Sequence, residues 1–149
     1  MQDLANQFDA AAYRRHVERL EVAALAMAQV AIPTEHVISG GLYARTITIP
    51  AGIVLTGAAH KTDHLCLCMG DIEVLTDEGP RRLTGLHVLA TKAGVKRAGF
   101  THAETRWTTV CRTDLTDLAA IEAELVECPE SLQTRNPLIG LADFARLED

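Results

Sequence analysis

The sequence predicts a mainly β protein, an antiparallel sandwich or barrel flanked by helical segments, and three observations lead there. Between Gly40 and Arg112, short runs rich in Val, Ile, Leu and Thr alternate with turn residues. No run of ten to fifteen helical residues separates those runs, so parallel crossover units are excluded and antiparallel pairing follows. The chain has 149 residues, 48% of them hydrophobic, enough to fill a core without disulfide or metal staples. One domain over residues 1–149 is expected.

The first element is a helix over about residues 9–30. DAAAYRRHVERLEVAALAMAQV is rich in Ala, Leu, Glu and Arg, holds no Gly or Pro, and starts at Asp9, a cap residue. Leu20, Ala23, Ala24, Met27 and Val30 recur at three- and four-residue steps and form a stripe that must cover apolar surface. The barrel region follows over about 40–112. Its expected strands are Leu42–Ile49, Ile53–Leu55, His64–Met69, Ile72–Leu75, Arg81–Leu83, His87–Ala90 and Trp107–Arg112. Glycine-bearing turns separate them at Pro50–Gly52, Met69–Asp71, Asp77–Pro80 and Ala93–Gly94. A C-terminal helical region covers about 115–147. In it Leu115–Glu127 shows helical periodicity with Thr116 as cap, and Leu138–Leu147 forms one short terminal helix.

Composition removes several classes of function. A net charge of −6 with scattered Arg and Lys gives no footprint for nucleic acid, and 4% aromatics leave no stacking platform. Trp107, the single tryptophan, is assigned to core volume. The longest nearly uninterrupted apolar run, Ala23–Ile32, is roughly half the ~20 residues of a membrane span. The amino terminus has no basic cap before an apolar stretch, so a cytoplasmic protein is expected. Cys66, Cys68, Cys111 and Cys128 are then buried thiols in a reducing compartment. No G-x-S-x-G elbow, phosphate loop, H-E-x-x-H helix or dinucleotide fingerprint occurs.

The chemistry concentrates in three segments. His60 and His64 lie on a turn entering a strand, and two imidazoles four residues apart converge if the chain turns between them. Neutral imidazole is a good ligand for divalent zinc, iron, nickel or copper, and the cofactor expected here is a divalent transition metal, Zn, Fe, Mn or Ni. His102 precedes the last strand with Glu104 at the same parity, and antiparallel pairing is expected to bring His102 opposite His64. Lys96 and Arg97 are neighbours, so in an extended segment only one faces the interior. An inward Arg97 would hold a carboxylate or phosphate and repel a nearby dication. Tyr43 and Arg45 share a strand face with Ile47, so an inward Ile47 carries Arg45 towards the barrel mouth. His16, His36 and His87 are assigned to surface or structure.

From about Gly40 to Arg112 the sequence resembles the cupin superfamily. Its first motif reads G-x5-H-x-H-x3-4-E-x6-G. Counting back from Gly70 puts Asp63 in the glutamate place, with His64 just after it and His60 near the second histidine. The second motif, G-x5-P-x-G-x2-H-x3-N, is approximated by Gly85, Gly94 and the residues after them. Arg97 takes its histidine place, Lys92 or Thr91 its proline place, and His102 falls one residue past its asparagine. The resemblance implies a cupin-type jelly-roll β-barrel. The usual centre of three histidines and one carboxylate is not reproduced residue for residue. The runs G-L-Y-A-R, P-A-G, H-K-T-D-H and G-V-K-R look most like small cupin-like proteins of bacteria and bacterial viruses, which brings no assigned reaction. Pairing through strands or helical arms in such proteins implies a homodimer.

The residues support three readings of function. In the first, His60, His64 and His102 converge in the barrel with Glu104 or Asp63 as carboxylate partner and hold a divalent transition metal or a small ligand. In the second, a metal-free pocket uses Arg97, Lys96 and Arg45, with Tyr43 beside them, to grip an anionic metabolite or nucleotide. A structural, virion-associated oligomer is the third class.

Overall fold

Strand β1 (Thr34–Ser39) turns through Gly40-Gly41 into β2 (Leu42–Ile49). Both glycines have positive φ, 59° and 77°, as a two-residue hairpin turn matched to strand twist requires. The computed structural model describes residues 10–76, 79–132 and 144–146. Further strands are β3 (Ile53–Thr56), β4 (His64–Thr76), β5 (Gly79–Thr91), β6 (Ala98–Thr101), β7 (Thr105–Arg112) and β8 (Phe144–Arg146). Helix α1 (Ala10–Leu25) precedes them and α2 (Leu118–Leu125) comes after β7.

These strands form one antiparallel sheet in the order β1-β2-β7-β4-β6-β3-β8, with β5 on the other edge of β4. The pivotal strand is β4. Its first half, Leu65–Met69, pairs with β7, and its second half, Ile72–Val74, pairs with β6. The exchange of partners at Gly70-Asp71 curls the sheet over itself. Inward side chains of β4 keep one parity through Cys66, Cys68, Ile72 and Val74. Cys68, Ile72 and Val74 meet Ile47, Ile49, Ile53 and Leu55 in the principal core. A second cluster, Tyr43, Cys111, Ile121, Leu125, Val126 and Leu132, seats α2 on the β2–β7 side. The fold is the expected mainly β, curled antiparallel sheet with an N-terminal helix and a C-terminal helical segment.

Several boundaries differ from those the sequence predicts. Helix α1 stops at Leu25 because the Gln29 side-chain amide donates to the carbonyls of Ala24 and Met27, satisfying acceptors that a longer helix would have used. Its buried face runs through Val17 and Ala24, with Ala23 exposed. Strands β1 and β6 lie outside the expected set; the first carries polar residues and the second is four residues long. The expected break at Met69–Asp71 is absent. Gly70 serves a close approach: a Cβ there would lie 2.5 Å from Thr105 Oγ1 and 2.7 Å from the Glu104 carbonyl. Opposite it, Gly85 bends β5 at φ 76° without breaking it, so the two expected strands of β5 are one. Helix α2 is capped by Asp117, whose carboxylate accepts from the Ala120 N–H, in place of Thr116. Of the expected helix over 138–147, residues 144–146 instead pair as a strand with β3, and the rest lies outside the described residues.

Candidate functional site

Strand parity and one sewn-down loop build a cavity of ≈ 110 Å³ inside the barrel. Alternation along β2 sends Tyr43 and Arg45 inward with Ile47. The same alternation along β4 sends His64 and Cys66 into the cavity, while Leu65 faces out. Arg97 enters just ahead of β6 and Thr91 from the end of β5. Trp107 and Thr109 come from β7, and Glu122 from α2. The His60 loop is tied to its neighbours: the Lys61 N–H donates to the Leu125 carbonyl, the Glu127 N–H to that of Ala59, and the Gly94 N–H to that of His60. His60 is therefore held at the cavity by the ties of its loop, and its ring makes a further hydrogen bond to the Ala58 backbone.

The polar groups form two sets. In the first, the His60 and His64 rings lie 4.3 Å apart, tilted by 38°. Burial, reinforced by the nearby His64 and Arg45 charges, holds His60 down at about 4, so this ring is neutral at pH 7. His64 Nδ1 lies 3.0 Å from the Thr62 carbonyl. A carbonyl only accepts, so Nδ1 carries the hydrogen and Nε2 is left as the basic nitrogen. Burial lowers the His64 pKa, and hydrogen bonds to Cys66 and the Thr62 carbonyl outweigh it, leaving it above the ordinary value.

In the second set, Arg97 Nη2 donates to Thr91 Oγ1 at 3.1 Å, and that hydroxyl donates to Cys66 Sγ at 3.6 Å. Burial raises the Cys66 thiol, but hydrogen bonds from His64 and Thr91 and the charges of His64 and Arg97 bring it below its usual value. Arg45 Nε and Arg97 Nε are both buried and have no hydrogen-bond partner among the described residues. Glu122 is the carboxylate lining the cavity among those residues, against two guanidinium groups. A buried donor without an acceptor costs about 1–3 kcal/mol, more for a charged group.

The structure brings together His60, His64, Tyr43, Arg45 and Arg97. It does not bring His102, Glu104, Asp63 or Lys96 to them. The His102 N–H donates to the Asp71 carbonyl, so His102 stands seven residues along β4 from His64, roughly 23 Å at strand rise. The cause is the exchange of partners on β4: β6, which leads into His102, pairs with the second half of that strand only. His102 faces Glu73 at 3.7 Å and the edge of Phe100. Glu104 is exposed on the β6–β7 turn. Asp63 is exposed and accepts from the Ala93 N–H at 2.8 Å and from Lys92. Lys96 points away from the cavity to Glu21 of α1, 2.8 Å away, leaving Arg97 as the inward member of the pair.

Sequence reasoning missed Cys66, Thr91 and Glu122. The signal for Cys66 was present, because in H-L-C the histidine and cysteine share one strand face. Cys68 and Cys111 are also buried, as expected, whereas Cys128 is exposed. Among the described residues no group of three or more His, Cys, Asp or Glu side chains is placed to hold a metal ion. With two guanidinium groups facing the same space, the donor set does not fit the three-histidine, one-carboxylate centre implied by the cupin resemblance.

No protein-family model matches the sequence, and no curated protein matches it. Solved structures do. A cupin domain from Bordetella pertussis is 17% identical, with 59% of this chain and 99% of that one covered at a TM-score of 0.46. The cupin domain of a transcriptional regulator from Enterobacter cloacae is 12% identical, with 58% and 100% covered at 0.46. Ectoine synthase from P. lautus is 16% identical, with 73% and 83% covered at 0.49. What is similar in all three is the arrangement of the strands alone.

Proposed function

We propose that the barrel binds a small anionic metabolite, a carboxylate above all, gripped by Arg45 and Arg97 with Tyr43 and His64 beside it. The observation that carries this reading is the pair of arginines, Arg45 and Arg97, lining one cavity, each with a buried Nε–H that has no acceptor among the described residues. An ionised oxygen supplies what both lack, and charge-assisted hydrogen bonds are about twice as strong as neutral ones. The volume of ≈ 110 Å³ is below the ~150 Å³ of a cavity that takes up benzene, which favours a ligand of a few carbons over a nucleotide.

The test is thermal unfolding against a series of small mono- and dicarboxylates and inorganic phosphate. A bound ligand at a hundred times its Kd stabilises by about 2.7 kcal/mol. Stabilisation that saturates with a carboxylate and disappears in Arg97→Met supports the proposal. No response to any anion, at concentrations that leave the fold intact, refutes it.

A metal at this site would have to rest on His60 and His64, with no third His, Cys, Asp or Glu placed to complete the set among the described residues. Elemental analysis of protein purified without a polyhistidine tag separates the two readings: stoichiometric metal lost in His64→Ala favours ligation. Among the described residues no helix is long and apolar enough to cross a membrane. We place the protein in the cytoplasm, where its buried thiols stay reduced. The expected homodimer would use the outer face of β4 and β5, where Leu65, Met69, Leu86 and Val88 are exposed. A monomer in sedimentation at micromolar concentration removes it.

A further inference from the structure

The structure assigns Cys66 a second role in the same cavity: a nucleophile, with His64 as its base, that adds to α,β-unsaturated carboxylates held by Arg45 and Arg97. This inference rests on the anion-binding reading and extends it from binding to chemistry.

Three features meet at the sulfur. His64 is fixed by the Thr62 carbonyl with its basic nitrogen free to take the thiol proton. That arrangement of nucleophile, base and orienting group is the general signature of an activated thiol. On another side the Thr91 hydroxyl donates to Sγ and is itself held by Arg97 Nη2, so a hydrogen-bond chain runs from a permanent cation to the sulfur. The third feature is the cavity itself, which places Cys66 among the residues that line it together with Arg45 and Arg97, each of which has a buried Nε without a hydrogen-bond partner among the described residues. Among the described residues the other charged or titratable groups facing that space are His60, Tyr43 and Glu122. Cys68 and Cys111 show the contrast. Both are buried, and burial pushes each thiol up to about 11.

The substrate class is set by what the cations do to a conjugated acid. Hydrogen bonds to its carboxylate draw electron density from the double bond and leave the β-carbon electrophilic. His64 Nε2 takes the proton from Sγ, and the thiolate pair forms a bond to the β-carbon. The π pair then moves to the α-carbon, which receives the same proton back from the His64 imidazolium. The net change is addition of S–H across C=C, balanced without any oxidant, reductant or second reactant.

The experiment exposes the folded full-length protein to limiting acrylate or to acrylamide, its neutral isostere, and tracks each of the four cysteines by peptide mass spectrometry. Glutathione reports the intrinsic order of the two reagents. The expected result is that Cys66 is modified ahead of Cys68 and Cys111 and favours acrylate over acrylamide, relative to glutathione, by about tenfold, the scale of one charge interaction in a partly screened site. Arg97→Met should remove that preference while leaving circular dichroism unchanged. Modification of Cys66 no faster than Cys68 or Cys111 by either reagent overturns the nucleophile, and leaves anion binding intact where carboxylates still raise the unfolding temperature. A reactive Cys66 that keeps the glutathione order instead overturns the anion site on which the inference rests.

Discussion

The imidazole rings of His60 and His64 sit 4.3 Å apart in one cavity, and their environments push their proton affinities in opposite directions. His60 is held down at about 4 by burial and by the charges of His64 and Arg45. His64 is raised, because its hydrogen bonds to Cys66 and the Thr62 carbonyl overcome its own burial. Two neighbouring histidines therefore take up protons separately, His64 first as the pH falls.

Their contributions to stability have opposite signs. Between pH 6.5 and about 4 the unfolded chain binds the His60 proton and the folded chain does not, so stability falls as pH falls through that window. The loss is about 3 kcal/mol at most, since each tenfold change in proton affinity is worth about 1.4 kcal/mol. His64 stabilises fully below its unfolded value, and that contribution fades as pH rises through its higher folded value. Urea unfolding at a series of pH values should therefore show a steeper acid loss in the wild type than in His60→Gln. Parallel curves for the two proteins would contradict the buried, neutral His60.

Gly70→Ala should destabilise the fold by about 2–4 kcal/mol, combining overpacking with backbone strain. The added methyl meets Thr105 Oγ1 and the Glu104 carbonyl at the point where β4 changes partner. Gly85→Ala, on the opposite strand with open space around it, should cost about 1–2 kcal/mol from its positive φ alone. Equal losses in the two variants, read from denaturant midpoints, would remove the close-approach explanation.

Helix α1 is fastened to the barrel by Glu21, which pairs with Lys96 at 2.8 Å and accepts from Thr56 Oγ1 at 2.8 Å. Val17 and Ala24 bury the apolar side of the same contact. Glu21→Ala leaves the largely buried Lys96 ammonium unpaired, and a loss of about 2–3 kcal/mol results, below the range for fully buried pairs. Because Lys96 points away from the cavity, the variant should keep its response to carboxylates. Loss of that response at temperatures where it is folded would place Lys96 in the site after all.

The barrel is legible in the sequence because its signal is local: β-branched runs alternate with glycine turns, and parity alone sends Arg45 inward with Ile47. Gly40-Gly41 marks a hairpin, but β1 carries little signal of its own because T-E-H-V-I-S is exposed along most of its length and lacks an apolar face. Gly70 looks like a turn because sequence cannot distinguish a glycine that bends the chain from one that lets another backbone approach. The same ambiguity displaces His102. Its meeting with His64 requires β6 to run beside the first half of β4, whereas the exchange of partners at Gly70 puts it beside the second. Adjacency makes Lys96 and Arg97 alternatives, but which of them enters is decided by Glu21, far earlier in the chain. Cys66 escapes notice because a cysteine in an apolar run reads as a small core residue, and its partners Thr91 and Arg97 come from other elements.

On the proposed reading the guanidinium groups of Arg45 and Arg97 receive a ligand anion, and their Nε–H resonances report it directly. In a ¹H–¹⁵N spectrum of the labelled protein, assigned with Arg45→Lys and Arg97→Lys, titration with a small carboxylate should shift both signals together to saturation at one Kd. Signals that stay fixed while exposed arginines such as Arg106 and Arg112 respond would contradict it, leaving a barrel whose cavity takes no anion.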